Sequence, residues 1–278
     1  MSSRINYRDL AEFGLPLISP EAPEFFPLVR EMEAIPRPFR FQTWPVDDLA
    51  RAAILRNQSG KAIVTLAYAW RYTTERGQTY ASRYFNLGSS LQFDFLSGQG
   101  GVVRDMGTFI LPGSKRLLTE QGTFGSNFDV LPPEQAGAGG GVGMGGGGQR
   151  GMGPGIIETE LVLDSVIFED GLCAGPDESG LFGSLTKDLA DQRQTAQEIV
   201  SALRNGASPG QVFEILRPLA RHPRQALSRA ASFSPLLRSF ANSAIHRLVQ
   251  GPEPDLLAWF EQIAQATPLR LHRPDPQV

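Results

Sequence analysis

Apolar and polar residues alternate with period two over much of the chain from Leu49 onward, the pattern of strands with one buried face. Between Ala62 and Tyr72 the even positions are Ala62, Val64, Leu66, Tyr68, Trp70 and Tyr72, while the odd ones include Thr65 and Arg71, which predicts a strand with one apolar face. The preceding turn, Asn57-Gln58-Ser59-Gly60, supplies residues that tolerate positive φ. Glu75-Arg76-Gly77-Gln78 makes a second turn, and Thr79–Phe85 returns as the other arm of a hairpin. Leu91, Phe93 and Phe95 alternate with Gln92 and Asp94, predicting a further one-sided strand. Thr108–Leu111 leads into the turn pair Pro112-Gly113, and Lys115–Glu120 continues beyond it. The run Leu161–Phe168 is apolar on both alternations, so it is expected to be covered on both faces, and Asp170-Gly171 closes it as a turn. Strands spaced in this way with turns between them predict an antiparallel sandwich or barrel.

Beyond the Pro/Asp/Ser/Gly-rich loop Gly175–Gly180 the period changes to 3.6. Leu185, Leu189, Ala196, Ile199, Val200 and Leu203 share one helical face, and Asn205-Gly206 is a stop signal. Ser208-Pro209-Gly210-Gln211 has the cap, first-turn proline and amide of a capping box, starting a second helix that is expected to end or kink near Pro218. A third helix starts at Ser234-Pro235 with Leu237, Phe240, Ala241, Ala244, Ile245 and Leu248 on one face and stops at Gly251. A fourth runs from about Pro254 to Ala266, followed by Leu269-Arg270-Leu271 as a short extended strip.

Two other stretches break both periods. Prolines at 16, 20, 23, 27, 36 and 38 oppose long helices and central strands, so residues 1–40 read as a proline-rich arm wrapped on the body, with one short helix at Tyr7–Phe13. Residues 137–155 contain twelve glycines among nineteen positions, too little side chain to offset the entropy of ordering, and are expected to form a mobile insertion between strands. The expected organisation is an α+β chain by domains: the arm, a β-sandwich domain over 41–181 with the insertion 137–155, and an all-α helical domain over 182–278.

Composition narrows the class. Apolar residues at 41% and charged residues at 20% are ordinary for a soluble globular protein, and no apolar run approaches the ~20 residues of a membrane span. Met1 to Leu17 carries charges where a signal peptide needs an apolar stretch, so the chain reads as cytoplasmic, or as secreted if a leader has been removed. Residues 1–181 hold 15 basic and 21 acidic side chains, whereas 182–278 hold 11 and 8, an asymmetry suited to docking of the two parts or to an acidic partner.

Candidate chemistry is sparse. The single cysteine, Cys173, leaves no internal disulfide and no zinc framework, and reads as a packed structural residue. His222, His246 and His272 lack metal-ligand spacing and read as structural or solvated. Asp164, Glu169, Asp170, Asp177 and Glu178 lack the oxygen-ligand order of a calcium loop and read as turn and loop groups. No Lys-Ser or Lys-Thr follows the glycines of 137–155, and a strand rather than a helix comes next, so neither phosphate-loop pattern is met. No cofactor and no metal is therefore expected. One constellation stands out: seven arginines against one glutamate between Arg204 and Arg247, with Arg217, Arg221 and Arg224 as the candidate partner-binding residues. The cluster reads first as a solvated face lying against the acidic front part of the chain, because interleaved exposed aromatic residues and a strongly basic pI are missing; as a binding patch it is expected to meet protein, and nucleic acid is disfavoured.

Trp70 in a central strand and the closing strand ending Val166-Ile167-Phe168-Glu169-Asp170-Gly171 resemble immunoglobulin-like and fibronectin-like sandwiches over roughly residues 40–171. The resemblance implies a fold class and no function. Three functions follow in order of expectation: a non-catalytic interaction or structural protein, a binder of anionic surfaces (acidic protein or nucleic acid) through the helical domain, and an enzyme with an interdomain site under a Gly-rich lid.

Overall fold

The computed structural model describes residues 5–34, 49–85, 94–98, 109–120, 127–130, 156–220, 235–249 and 256–274. It contains both sheets and helices, an α+β architecture in which neither sheet closes into a barrel. The strands are β1 (Ile5–Arg8), β2 (Leu17–Ile18), β3 (Ala52–Arg56), β4 (Ile63–Thr74), β5 (Thr79–Phe85), β6 (Lys115–Thr119), β7 (Asn127–Val130), β8 (Ile156–Phe168) and β9 (Cys173–Ala174). The helices are α1 (Phe25–Ala34), α2 (Leu181–Arg204), α3 (Pro209–Ala220), α4 (Pro235–Val249) and α5 (Leu256–Gln265). The larger sheet has the order β1-β8-β4-β5-β7 with β9 on β8, and the smaller one the order β2-β3-β6. The larger sheet is mixed and not purely antiparallel, because β1 runs parallel to β8 with Ile5 opposite Thr159.

By density of contacts the chain falls into two compact units: residues 1–60, 66–86 and 112–164 form the first, and 61–65, 87–111 and 165–278 the second. Strands β4 and β8 each run from one unit into the other.

In the first unit the N-terminal prolines do not exclude a helix. Pro27 sits in the first turn of α1, where its missing N–H would have no intrahelical partner anyway, so Val29 and Phe25 are buried against Ile18, Ile54 and Leu117 of the smaller sheet. The helix expected at Tyr7–Phe13 is instead β1 followed by a single 3-10 turn, Ala11–Phe13, because β1 finds a partner in β8. Tyrosines of the larger sheet reach the backbone of the smaller one. Tyr7 on β1 donates to the carbonyl of Ala52 at 3.3 Å, Tyr68 on β4 to Thr119 at 3.2 Å, and Tyr84 on β5 to Glu120. Tyr68 and Tyr84 also stack, with ring centroids 5.0 Å apart. Burial pushes Tyr7 and Tyr84 up to about 12, and holds Tyr72 well above the tyrosine range, with the Glu120 carboxylate adding to the shift in each of the latter two and Glu21 in the first.

Strand β4 departs from the one-sided expectation: Ile63 through Trp70 are buried at every position. Its odd residues there are Ile63, Thr65, Ala67 and Ala69, three of them small enough to be covered closely, so alternation in size does not translate into alternation in exposure. Trp70 is fully buried. The Asn57–Gly60 turn is stitched by the Asn57 carboxamide, whose oxygen accepts from the Ser59 N–H and hydroxyl at 3.1 and 2.6 Å. Residues 94–96 are helical, correcting the strand expected through Phe95; its members Leu91 and Phe93 lie outside the described residues, as do 137–155.

The second unit is organised around α2, whose apolar face matches the expected one and also buries Asp188 and Gln192. The capping box forms as read: the Ser208 N–H donates to Gln211 Oε1 at 2.8 Å, and the Gln211 N–H to Ser208 Oγ at 3.4 Å. Helix α3 remains helical through Pro218 to Ala220. Phe240 of α4 and Phe260 of α5 fill the core between the helices, with Trp259 packed at 5.9 Å from Phe240.

Candidate functional site

A groove of about 570 Å³ lies in the second unit between the flank of α2 and residues 268–271. On the helix side, Thr186, Ala190, Arg193, Gln194 and Gln197 fall at spacings of three and four, so they form one stripe beside the buried face carrying Leu189. Opposite them run Pro268, Leu269, Arg270 and Leu271 in a segment with no regular secondary structure of its own.

Long-range contacts hold that segment in place. The Leu269 N–H donates to the Leu96 carbonyl at 2.9 Å, the His272 N–H to Gly171 at 3.0 Å, and the Cys173 N–H back to His272 at 2.7 Å. The β8–β9 turn can approach so closely because Gly171, at φ +85°, has no Cβ; one built there would collide with the Arg270 carbonyl. Gly98 meets Thr267 in the same manner. Further along, the Arg273 guanidinium pairs with Asp177 at 3.3 Å and lies over the Phe182 ring, 5.3 Å from its centre. Asp177 itself has positive φ and is a junction: one carboxylate oxygen accepts from the Ser165 hydroxyl at 2.9 Å and the Phe182 N–H at 3.2 Å, which caps α2 from outside.

Two guanidinium groups line the groove. Arg193 is directed by its Nε–H, which donates to the Ala264 carbonyl at 3.2 Å in the last turn of α5, where helix carbonyls favour a cation. Arg270 is exposed and has no ion-pair partner among the described residues. The remaining polar lining is two amides and a hydroxyl, and the apolar lining is aliphatic, so the groove's chemistry is charge pairing, hydrogen bonding and apolar contact.

The sequence-derived candidates lie elsewhere. Arg217 is on α3, half exposed and paired within its own helix to Glu214 at 2.8 Å, while Arg221 and Arg224 lie outside the described residues. Arg204 is engaged by Glu261 at 2.8 Å, and Arg247 lies 4.9 Å from the centre of the Trp259 ring. Cys173 is buried, donates to the Gly171 carbonyl, and its thiol is pushed up to about 11 by burial, the opposite of an activated nucleophile. Among the described residues no group of three or more His, Cys, Asp or Glu is placed to hold a metal ion, and no helix is long and apolar enough to cross a membrane. Arg193 and Arg270 were not conspicuous in the sequence. Their one signal was a polar stripe on α2 in which Arg193 has no acidic residue four positions on, and that stripe reads equally as a solvated face.

Fold and site together define an α+β protein of two compact units with an open, cationic, aliphatic groove on the helix-rich one. No protein-family model, curated protein or solved structure matches the chain.

Proposed function

We propose that the chain is a non-catalytic interaction protein whose helix-rich unit binds a protein partner in the groove between α2 and residues 268–271. The observation that carries this reading is the groove's lining: two arginines, two glutamines and a threonine around aliphatic side chains, with no carboxylate, imidazole or thiol among the described lining residues. Such a surface recognises a ligand and offers no general acid–base pair. In this reading the front of the molecule is a sandwich-like scaffold, supported by the three tyrosines that tie one sheet's side chains to the other's backbone. Anionic recognition through the helical part is retained, but at Arg193 and Arg270 in place of the Arg217 stretch. Of the described members, Arg204, Arg217 and Arg247 are already engaged within the unit.

The test is a quantitative comparison of proteins captured from the source cell by the full chain, by an Arg193→Glu/Arg270→Glu variant, and by Arg217→Glu. A set of proteins lost with the first variant and kept with the second supports the groove. Identical capture by all three refutes it.

A further inference from the structure

Resting on the groove reading, we infer that its occupant is an extended, acidic segment of a partner protein, which lies along residues 269–271 as an added strand and sets carboxylates against Arg193 and Arg270. Three observations converge on this chemistry. The first is charge: two guanidiniums line the groove with no carboxylate among the described lining residues, and Arg193 is already oriented by its bond to Ala264. The second is backbone. Residues 269–272 are held against Leu96 and Gly171 through the N–H groups of Leu269 and His272, whereas those of Arg270 and Leu271 have no partner among the described residues. Consecutive N–H groups of an extended segment face opposite edges, so one of these two open donors is available to an incoming extended chain for main-chain pairing along a segment fixed at both ends.

The third observation is the apolar lining, and it separates peptide from nucleic acid. Leu189, Ala190, Leu269 and Leu271 are aliphatic, and no aromatic side chain is among the described lining residues. Single strands of nucleic acid bind largely by stacking on aromatic rings, which this surface does not provide. Aliphatic side chains of a peptide that alternate with its acidic ones fit both components of the lining.

The experiment uses the full chain and fluorescein-labelled octapeptides in which Leu and Val alternate with Asp and Glu. Matched peptides carry Asn and Gln, or Lys, at the acidic positions, and single-stranded oligothymidylate is the nucleic-acid probe. Anisotropy titrations are run at low and high salt, with Arg193→Gln and Arg270→Gln as variants. Arg270→Gln alters an exposed side chain with no ion pair among the described residues, so its fold is preserved by design. Expected are binding of the acidic peptides, a loss of about tenfold or more in either variant and for the Asn/Gln peptides, weakening as salt rises, and shifts of the Arg270 and Leu271 amide resonances on binding.

Equal affinity for acidic and neutral peptides, or unaltered affinity in both variants, overturns the acidic assignment. Tighter binding of the oligonucleotide overturns the peptide assignment. If no probe binds while the Arg193→Glu/Arg270→Glu variant still loses proteins from the cell extract, the extended acidic segment is wrong and the groove reading stands. If neither occurs, both fall.

Discussion

Replacing Gly171 by alanine tests the seating of residues 268–272 most directly, because two separate costs can be told apart. A non-glycine residue at φ +85° costs roughly 1–2 kcal/mol in backbone conformation alone. The new Cβ also overlaps the carbonyl of Arg270, a backbone atom that cannot swing aside, so the segment must lift off the β8–β9 turn. Lifting breaks two backbone hydrogen bonds, His272 N–H to Gly171 and Cys173 N–H to His272. At about 0.5–1.5 kcal/mol each, they bring the total to roughly 2–5 kcal/mol. Gly206, just past the end of α2 in the same unit, supplies the control: its φ is +82°, yet a Cβ there meets nothing within 4 Å, so Gly206→Ala carries the conformational cost only. Urea denaturation of the two variants, followed by helix circular dichroism, is expected to place Gly171→Ala about 1–3 kcal/mol below Gly206→Ala. Equal losses in the two variants would mean that the segment does not sit against the turn as described, and the groove would lose one of its walls.

Other predictions address the core, the ionisable groups and the insertion. Trp70→Ala is expected to cost roughly 3–5 kcal/mol in denaturation, since the side chain is fully buried; a change below about 1 kcal/mol would contradict that burial. Tyr84 titrates near 12 in the folded chain, above its unfolded value of about 10. Its contribution is therefore complete below about pH 10 and is lost as pH rises toward 12, up to about 2–3 kcal/mol. Denaturation midpoints across that window should fall more steeply in the wild type than in Tyr84→Phe, and parallel curves would count against the burial of Tyr84. Asp177→Asn keeps a residue type that tolerates positive φ and an acceptor for Ser165 and Phe182, so it should destabilise less than Asp177→Ala, whose loss of all three contacts is expected to exceed about 2 kcal/mol. A short linker in place of residues 137–155 should change stability by no more than about 1 kcal/mol, because loop-closure entropy grows slowly with length. Unfolding of that variant at room temperature would refute it.

Local signals were legible because they act over a few residues. The period of 3.6 from Leu185 to Leu203, the reciprocal bonds of Ser208 and Gln211, and the Asn57–Gly60 and Gly77 turns each follow from nearest-neighbour geometry, and the structure has them where the pattern placed them. The burial of both faces of β8 over Leu161–Phe168 was likewise legible in a run apolar on both alternations, interrupted only by Asp164 and Ser165. Failures began where a partner distant in sequence decided the outcome. Ile5–Arg8 is a strand because β8 lies beside it, overriding the local helix reading that began at Tyr7, and Phe25–Ala34 is a helix because the smaller sheet buries Phe25 and Val29, overriding the local discouragement of proline. The candidate site was least legible of all. Leu269-Arg270-Leu271 carries no periodicity, and its position follows from Leu96, Gly171 and Cys173, which lie about 100 or more residues upstream. Sequence alone therefore specified the caps, turns and amphipathic faces, whose energetics are local. Only the tertiary structure set Arg193 and Arg270 on a common groove, because that proximity depends on backbone contacts and on a missing Cβ at Gly171 that no short-range pattern encodes.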